Sequence, residues 1–182
     1  VGEALVRVAA CGVCHTDLHV LKGEVAFPSP AVLGHEVSGT VVALGDGTPA
    51  DTGFAAGDRV VGAFIMPCTT CRQCVRGRDD LCIEFFAQNR LKGTLFDGES
   101  RLSRDDGSAI AMYSMGGFAE YCVVPLSALA HVPSHIPLEN AAILGCAFFT
   151  AYGAVTHGAG MTAGDSVAVI GTGGVGSSLV QM

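Results

Sequence analysis

The stretch SVAVIGTGGVGSSLVQM, residues Ser166 to Met182, reads as a strand, a glycine loop and the first turns of a helix. A short apolar run rich in β-branched residues suits a buried strand. The G-x-G-x-x-G spacing of Gly171, Gly173 and Gly176 is the pattern of a loop that lets a backbone come close to a dinucleotide phosphate, although alone it is weak evidence. Its position is more telling, because a βα unit with no second strand after it cannot bury its sheet faces. The sequence also begins at Val1, with no initiator methionine, and enters a strand-like run at once. The expectation is a chain cut at both ends, with one domain of ordinary size before this loop and only part of another.

Working back from the loop, the turn residues Ala163-Gly-Asp165 lead into the strand. Cys146 to Val155, apolar and rich in alanine and aromatics, predicts a buried helix, and Pro137 is placed to open another over Pro137 to Leu144. Before that point the sequence predicts β structure. Strands are expected at Glu3 to Ala10, Val37 to Leu44, Arg59 to Phe64 after the turn Ala56-Gly-Asp58, and Phe118 to Pro125, none with helical periodicity. Residues 85–113 are more irregular, with Arg104 to Ser108 as a hairpin tip. Hydrophobic residues make up 49% and charged ones 15%, which excludes disorder, and 25 glycines point to many tight turns.

Ten Lys plus Arg against seventeen Asp plus Glu give a net charge of −7, with the basic residues scattered. Such a surface repels phosphate backbones, so no nucleic-acid partner is expected. No apolar run approaches the roughly 20 residues needed to cross a bilayer, and no charged n-region precedes one. No membrane partner is expected either, although a lost targeting segment is compatible with the missing methionine. The eight cysteines sit in a chain too large and too aliphatic to need disulfide staples. Metal binding in a reducing compartment, the cytoplasm, is the default reading.

Cys68, Cys71, Cys74 and Cys82 place four thiols within fifteen residues. That density suits a tetrahedral zinc closed to solvent, a structural site tying down a loop with little core of its own. Two local disulfides or an iron–sulfur cluster are the alternatives, and the acidic charge opposes a zinc-ribbon nucleic-acid module. A second group, Cys14, His35 with Glu36, and Cys146, is spread along the chain. Two thiolates and an imidazole meet the needs of a catalytic zinc, which takes three protein ligands and keeps a fourth position open. Taken singly, each reads first as a core cysteine or a hydrogen-bonded histidine.

Gly12-Val-Cys-His-Thr-Asp17, Gly34-His-Glu36, the four-cysteine loop, Leu144-Gly-Cys146 and Gly171-Thr-Gly-Gly-Val-Gly176 occur in the order and approximate spacing of the zinc-dependent medium-chain alcohol dehydrogenases. The chain resembles that family over essentially its whole length. The resemblance implies an α/β and β fold: a GroES-like β-barrel catalytic domain over residues 1–145, carrying the structural zinc loop 68–82, then the first βα unit of an incomplete Rossmann dinucleotide-binding domain over 146–182. It implies two zinc ions per subunit and NAD or NADP. Cys14, His35 and Cys146 match the catalytic zinc ligands, and Cys68, Cys71, Cys74 and Cys82 the structural ones. Glu36 matches an acid kept behind the metal. Asp17 resembles a carboxylate that accepts the free N–H of a ligating histidine, with an Asx cap for the following helix as its plainer role. Thr16 resembles the hydroxyl that takes the alcohol proton, and His19 the imidazole at the end of the relay, reached through the cofactor ribose. His15 falls where the family places a basic residue near the pyrophosphate, Thr150 where nicotinamide is contacted, and Phe64 where an aromatic narrows the substrate pocket. In the glycine loop, Gly171 permits the tight turn, Gly173 the backbone approach and Gly176 the packing of helix on sheet, with Gly174 and Val175 at the helix N-terminus facing the phosphates. The acid that would hold the ribose falls roughly 20 residues on, past Met182, so NAD and NADP are not distinguished.

Two departures bear on substrate. Glutathione-dependent formaldehyde dehydrogenases of this family carry a tyrosine where this chain has His19, and an arginine where it has Phe86. The segment Gly93 to Gly117 resembles the inserted region of the longer alcohol dehydrogenases. The resemblance therefore implies reversible hydride transfer between a primary or aromatic alcohol and NAD(P), with a small alcohol or aldehyde as partner and a homo-oligomer, dimer or tetramer, at full length. The 182 residues alone are expected to be inactive. The rivals are a non-catalytic zinc protein, a zinc-free quinone reductase of the same fold, and a dithiol at Cys11 and Cys14, for which the βαβ context is missing. Cys11 and Cys122 read as core packing.

Overall fold

A computed structural model describes all 182 residues. In chain order the regular elements are β1 (Glu3–Gly12), α1 (His15–Leu21), β2 (Ala31–Val32), β3 (Glu36–Leu44), β4 (Arg59–Gly62), β5 (Leu102–Ser103), β6 (Ala109–Met112), β7 (Tyr121–Pro125), β8 (Leu129–His131), α2 (Leu138–Ala141), α3 (Ala147–Gly153) and α4 (Gly174–Gln181). Five strands form one sheet in the order β7-β1-β3-β4-β8, every pair antiparallel. A smaller sheet runs β2-β6-β5.

Period-two alternation places the strands. Ala4 and Val6 of β1, Val37 and Val41 of β3, Val60 of β4, and Cys122 and Val124 of β7 are buried, and they meet Phe85, Met66, Leu95, Met112 and Met115 in one core cluster. The β1–β3 register slips between Leu5 and Val6 and again between Val8 and Ala10. Bulges of this kind bend and twist a sheet, which helps it curl toward a barrel. The same pairing sets Gly12 opposite Glu36. The end of β1 and the start of β3 therefore deliver Cys14, His35 and Glu36 to one end of the larger sheet.

Cys146 reaches that end by a close backbone contact. A Cβ on Gly145 would lie 1.9 Å from the Gly62 carbonyl oxygen, so only glycine lets this segment cross β4. The approach is held by Phe64 N–H donating to Gly145 O at 3.0 Å. Upstream, the Arg59 guanidinium donates to the carbonyls of Ser134, at 2.7 Å, and Ile136, fastening the turn that leads into α2.

The strands expected at Glu3 to Ala10 and Val37 to Leu44 are present within two residues of those bounds. The expected Arg59 to Phe64 strand stops at Gly62: Ala63 N–H still reaches Ala128 O just before β8, but Phe64 N–H turns to a new neighbour, Gly145 O. The strand expected from Phe118 starts at Tyr121, since Phe118 N–H is taken by Leu33 O. The hairpin tip is formed, with Arg104 N–H donating to Ser108 O at 2.9 Å between β5 and β6. Pro137 caps α2, which tightens into a 3₁₀ turn over Ala142–Gly145, and α3 runs on into a wider turn over Ala154–Gly158. Residues 166–170, expected as a strand, make no backbone hydrogen bonds, and Ile170 is 99% exposed. A parallel strand exists only by its neighbours, and none of the other strands lies beside it. No single helix is long and apolar enough to cross a membrane.

Candidate functional site

Cys14 leaves β1 and caps α1. Its thiol accepts from Thr16 N–H at 3.5 Å, while its own N–H donates to Asp17 Oδ2 at 3.1 Å, a reciprocal capping box built with a sulfur. Asp17 is buried, and its second oxygen, Oδ1, accepts from Gly34 N–H at 3.1 Å and lies 3.3 Å from His35 Nδ1. Asp17 therefore both caps the helix and faces the histidine. The contact with Nδ1 is at ion-pair distance, but it is not aligned as a hydrogen bond, and neither nitrogen of the fully buried His35 ring has a hydrogen-bond partner.

One ligand atom from each of Cys14, His35, Glu36 and Cys146 lies within 4.8 Å of all the others. Cys146, beside Cys14, does most to hold the Cys14 thiol down, to about 3, with His35 second, and Cys146 is itself pushed up. Burial opposes charge on His35, but Asp17 and Cys14 outweigh it and raise the imidazole to about 9. Burial, then the Cys14 charge, pushes Glu36 above the usual carboxylate range. The cluster thus packs two sulfurs against a buried imidazole, both of whose ring nitrogens lack a hydrogen-bond partner. An unmade buried hydrogen bond costs about 1–3 kcal/mol. A divalent cation among two sulfurs and a nitrogen removes that cost and displaces the protons. The donor set fits zinc.

The four-cysteine loop converges in the same way, with all four sulfurs within 4.8 Å of one another and none in a disulfide. Cys71 and Cys74 sulfurs are 3.6 Å apart, and those of Cys68 and Cys74 are 4.0 Å apart. A regular tetrahedron with metal–sulfur bonds of about 2.3 Å has edges of about 3.8 Å, so the spacing matches. Backbone N–H groups aim at the sulfurs: Cys68 and Phe85 donate to Cys82 Sγ at 3.2 and 3.4 Å, and Cys71 donates to Cys68 Sγ at 3.3 Å. Such donors stabilise thiolates.

Of the remaining expected residues, Thr16 and Phe64 contact members of the first cluster. Thr16 Oγ1 is 3.5 Å from Cys14 Sγ. Thr16 and His19 lie three apart on α1 and so share a face, and the rings of His15 and His19 meet edge to face at 4.7 Å. Phe64 tilts against His35 at 4.4 Å and lines a cavity of about 960 Å³ together with Cys146 and Thr150. In the glycine loop, Gly171 has φ +93°, and a Cβ on Gly176 would strike the Gly171 carbonyl oxygen at 1.9 Å. Gly176 therefore packs the helix on its own loop, where sheet had been expected. Gly173 opens α4, with no atom within 4 Å of the place its Cβ would occupy. Sequence reasoning missed Glu24, whose carboxylate contacts His19 Nδ1, and Tyr113, whose ring lies 5.9 Å from that of His35. Both contacts depend on a turn or a lobe that carries no sequence motif.

Residues 1–134 match the profile of the alcohol dehydrogenase GroES-like domain. The chain belongs to that family. Over 180 residues it is 36% identical to the NDMA-dependent alcohol dehydrogenase of Amycolatopsis methanolica, covering 99% of this chain and 47% of that protein. A solved alcohol dehydrogenase zinc-binding domain protein from Burkholderia ambifaria superposes with a TM-score of 0.88 at 38% identity, over 98% of this chain and 48% of the other. The benzyl alcohol dehydrogenase of Acinetobacter calcoaceticus gives 0.85 at 35% identity, over 98% and 47%. This member of the GroES-like alcohol dehydrogenase family thus spans about half the length of the relatives it matches.

Because Asp17 Oδ1 faces His35 Nδ1 at 3.3 Å, replacing it by asparagine is expected to weaken the affinity of the Cys14 cluster for added zinc by about 10–100-fold, as loss of a ligand's outer partner does elsewhere. Competition with a chelator of known affinity measures this, and the four-cysteine loop serves as the unaffected internal reference.

Proposed function

We propose that the chain is the catalytic part of a zinc-dependent alcohol dehydrogenase. Residues 1–145 are its GroES-like catalytic domain, and residues 146–182 begin its Rossmann domain. The observation that carries the proposal is the convergence of Cys14, His35 and Cys146, from three distant points in the chain, around an imidazole with no hydrogen-bond partner. Zinc held by these three residues would supply a Lewis acid that polarises the oxygen of an alcohol or aldehyde. A second zinc, held by Cys68, Cys71, Cys74 and Cys82, would be structural.

The chain's own groups do the rest. Asp17 fixes the His35 ring by facing Nδ1. Thr16 Oγ1, beside the Cys14 sulfur, accepts the proton of the alcohol, and His19, exposed on the same face of α1, is the end of the relay, reached through the cofactor ribose. Glu36, buried and with its pKa raised, stands behind the cluster as an alternative ligand. Phe64 walls the pocket and excludes water. The glycine loop, with His15 and Thr150, takes NAD or NADP against the start of α4. The substrate class is a primary or aromatic alcohol, in keeping with the name of the benzyl alcohol dehydrogenase relative. The full-length protein is a cytoplasmic dimer or tetramer, in a compartment where its cysteines stay reduced.

The test is oxidation of benzyl alcohol by the zinc-loaded full-length protein, followed as reduced nicotinamide. Turnover is expected there and is expected to be absent in the 182 residues alone. Cys14→Ser should abolish it while releasing one of two zinc ions. A zinc-loaded full-length protein that oxidises no primary alcohol would defeat the proposal.

A further inference from the structure

Phe64 stands where the first cluster meets the cavity, and no strand holds it, because β4 has already ended at Gly62. Its ring tilts against His35 at 4.4 Å and lines the cavity of about 960 Å³ beside Cys146 and Thr150. Its backbone is instead clamped from two sides. The N–H donates to Gly145 O at 3.0 Å, and the carbonyl accepts from Ser114 Oγ at 2.8 Å. Gly145 leads directly into Cys146, but Ser114 comes from 50 residues along the chain and has no part in the chemistry above.

Ser114 is fully buried, and its backbone is left-handed, φ +54°, a conformation that favours glycine. Asn89, in the helical turn Phe85–Arg90 and also fully buried, holds it there. The Asn89 Oδ1 accepts from Ser114 N–H at 2.7 Å, and Nδ2 donates to Ser114 O at 2.9 Å and to the carbonyls of Met112 and Thr94 at 3.2 Å. One side-chain amide thus grips both backbone groups of one residue. Glycine would hold this turn with less strain, but it has no hydroxyl to offer Phe64. Strain of this kind persists where the surroundings over-determine it, and it concentrates at functional sites. The same two segments also support the Phe64 ring: Tyr113, next to Ser114, lies nearly parallel to it at 6.1 Å, and Phe85 meets it edge to face at 5.8 Å.

Because the Phe64 ring meets His35 on one side and the cavity on the other, a hydrogen bond at its carbonyl governs where that wall stands. We propose that Ser114, seated by Asn89, is a positioning residue of the site: its hydroxyl fixes Phe64 and, through that ring, the width of the pocket beside Cys146, so that narrow aromatic alcohols are preferred to broader ones. The substrate preference rests on the dehydrogenase reading; the hold of Ser114 on the Phe64 and His35 rings does not.

Ser114→Ala removes the hydroxyl and leaves the backbone groups that Asn89 grips. In the zinc-loaded chain, the NMR signals of the His35 ring protons are expected to move part of the way toward their positions in Phe64→Leu, where the neighbouring aromatic ring is gone. Signals that stay where the parent has them would overturn the proposal. In the full-length protein, the ratio of kcat/KM for benzyl alcohol to that for 2-naphthylmethanol is expected to fall about fivefold, the size of one net hydrogen bond, with both zinc ions retained. In a Phe64→Leu background the same substitution should leave that ratio alone, since Ser114 acts through the ring. A purely structural Ser114 would lower the melting temperature and scale both alcohols alike. An unchanged ratio with both alcohols turned over therefore removes the positioning role and leaves the dehydrogenase, whereas shifted His35 signals with turnover of neither alcohol do the reverse. Should Ser114→Ala fail to fold, Ser114→Gly takes its place, because it also lacks the hydroxyl and adopts a positive φ freely.

Discussion

Stripping metal from the four-cysteine loop, or replacing Cys74 by serine, is expected to melt the lobe around Met66 to Phe96 and to lower the stability of the whole chain. Cys74 and Cys82 are themselves part of the core cluster, packed with Phe85, Met66 and Leu95, and the loop between them is exposed from Val75 to Leu81. Few apolar contacts remain to order that loop once the sulfurs are released. Apparent binding energies at structural zinc sites run to about 10–16 kcal/mol, comparable with the total stability of a domain, about 5–15 kcal/mol. Loss of even about 5 kcal/mol would lower the melting temperature by roughly 10–20 °C for a chain of this size. Hydrogen exchange with and without chelator should show protection lost first at the N–H groups of Cys68, Cys71 and Phe85, which donate to sulfur. Unchanged exchange and melting after removal of all metal would mean that the four thiols serve another purpose.

The contrast between this loop and the rest of the site shows what a sequence reveals. Cys68 to Cys82 is local, so spacing alone discloses the cluster. Cys14, His35 and Cys146 converge only because β1 pairs with β3 so that Gly12 faces Glu36, and because Gly145 can touch the carbonyl of Gly62. Those glycines are visible in the sequence, but their partners are not, so composition alone reads the group as separate core residues and only the motifs in register bring it together. Where strands end is also illegible, since Phe64 and Phe118, beyond the ends of β4 and β7, turn their N–H groups to Gly145 and Leu33 rather than to a strand of the larger sheet. Residues 166–170 show the opposite case: an apolar β-branched run has strand propensity, but a ladder needs a neighbour.

Replacing Thr16 by alanine in the full-length protein is expected to lower turnover by about 10²–10⁴-fold, the usual worth of a positioned proton acceptor, while both zinc ions remain bound. Its hydroxyl is the side-chain oxygen beside Cys14 Sγ, at 3.5 Å, and it is not among the gathered ligand atoms. Metal content therefore separates a lost relay from a lost site. If the hydroxyl acts on the reacting proton, kcat and kcat/KM should fall together, as they do when an interaction belongs to the transition state, and Thr16→Ser should restore most of the rate because it keeps the oxygen. A purely structural role in the α1 cap predicts something different, since that cap uses the backbone N–H of Thr16, which alanine retains. In that case Thr16→Ala would turn over within about tenfold of the parent, and the proton acceptor would have to be sought elsewhere. His19→Gln provides the second arm: with the relay intact up to Thr16, its rate should be recovered by added imidazole, which can take the proton at the exposed end of α1 where His19 now meets Glu24.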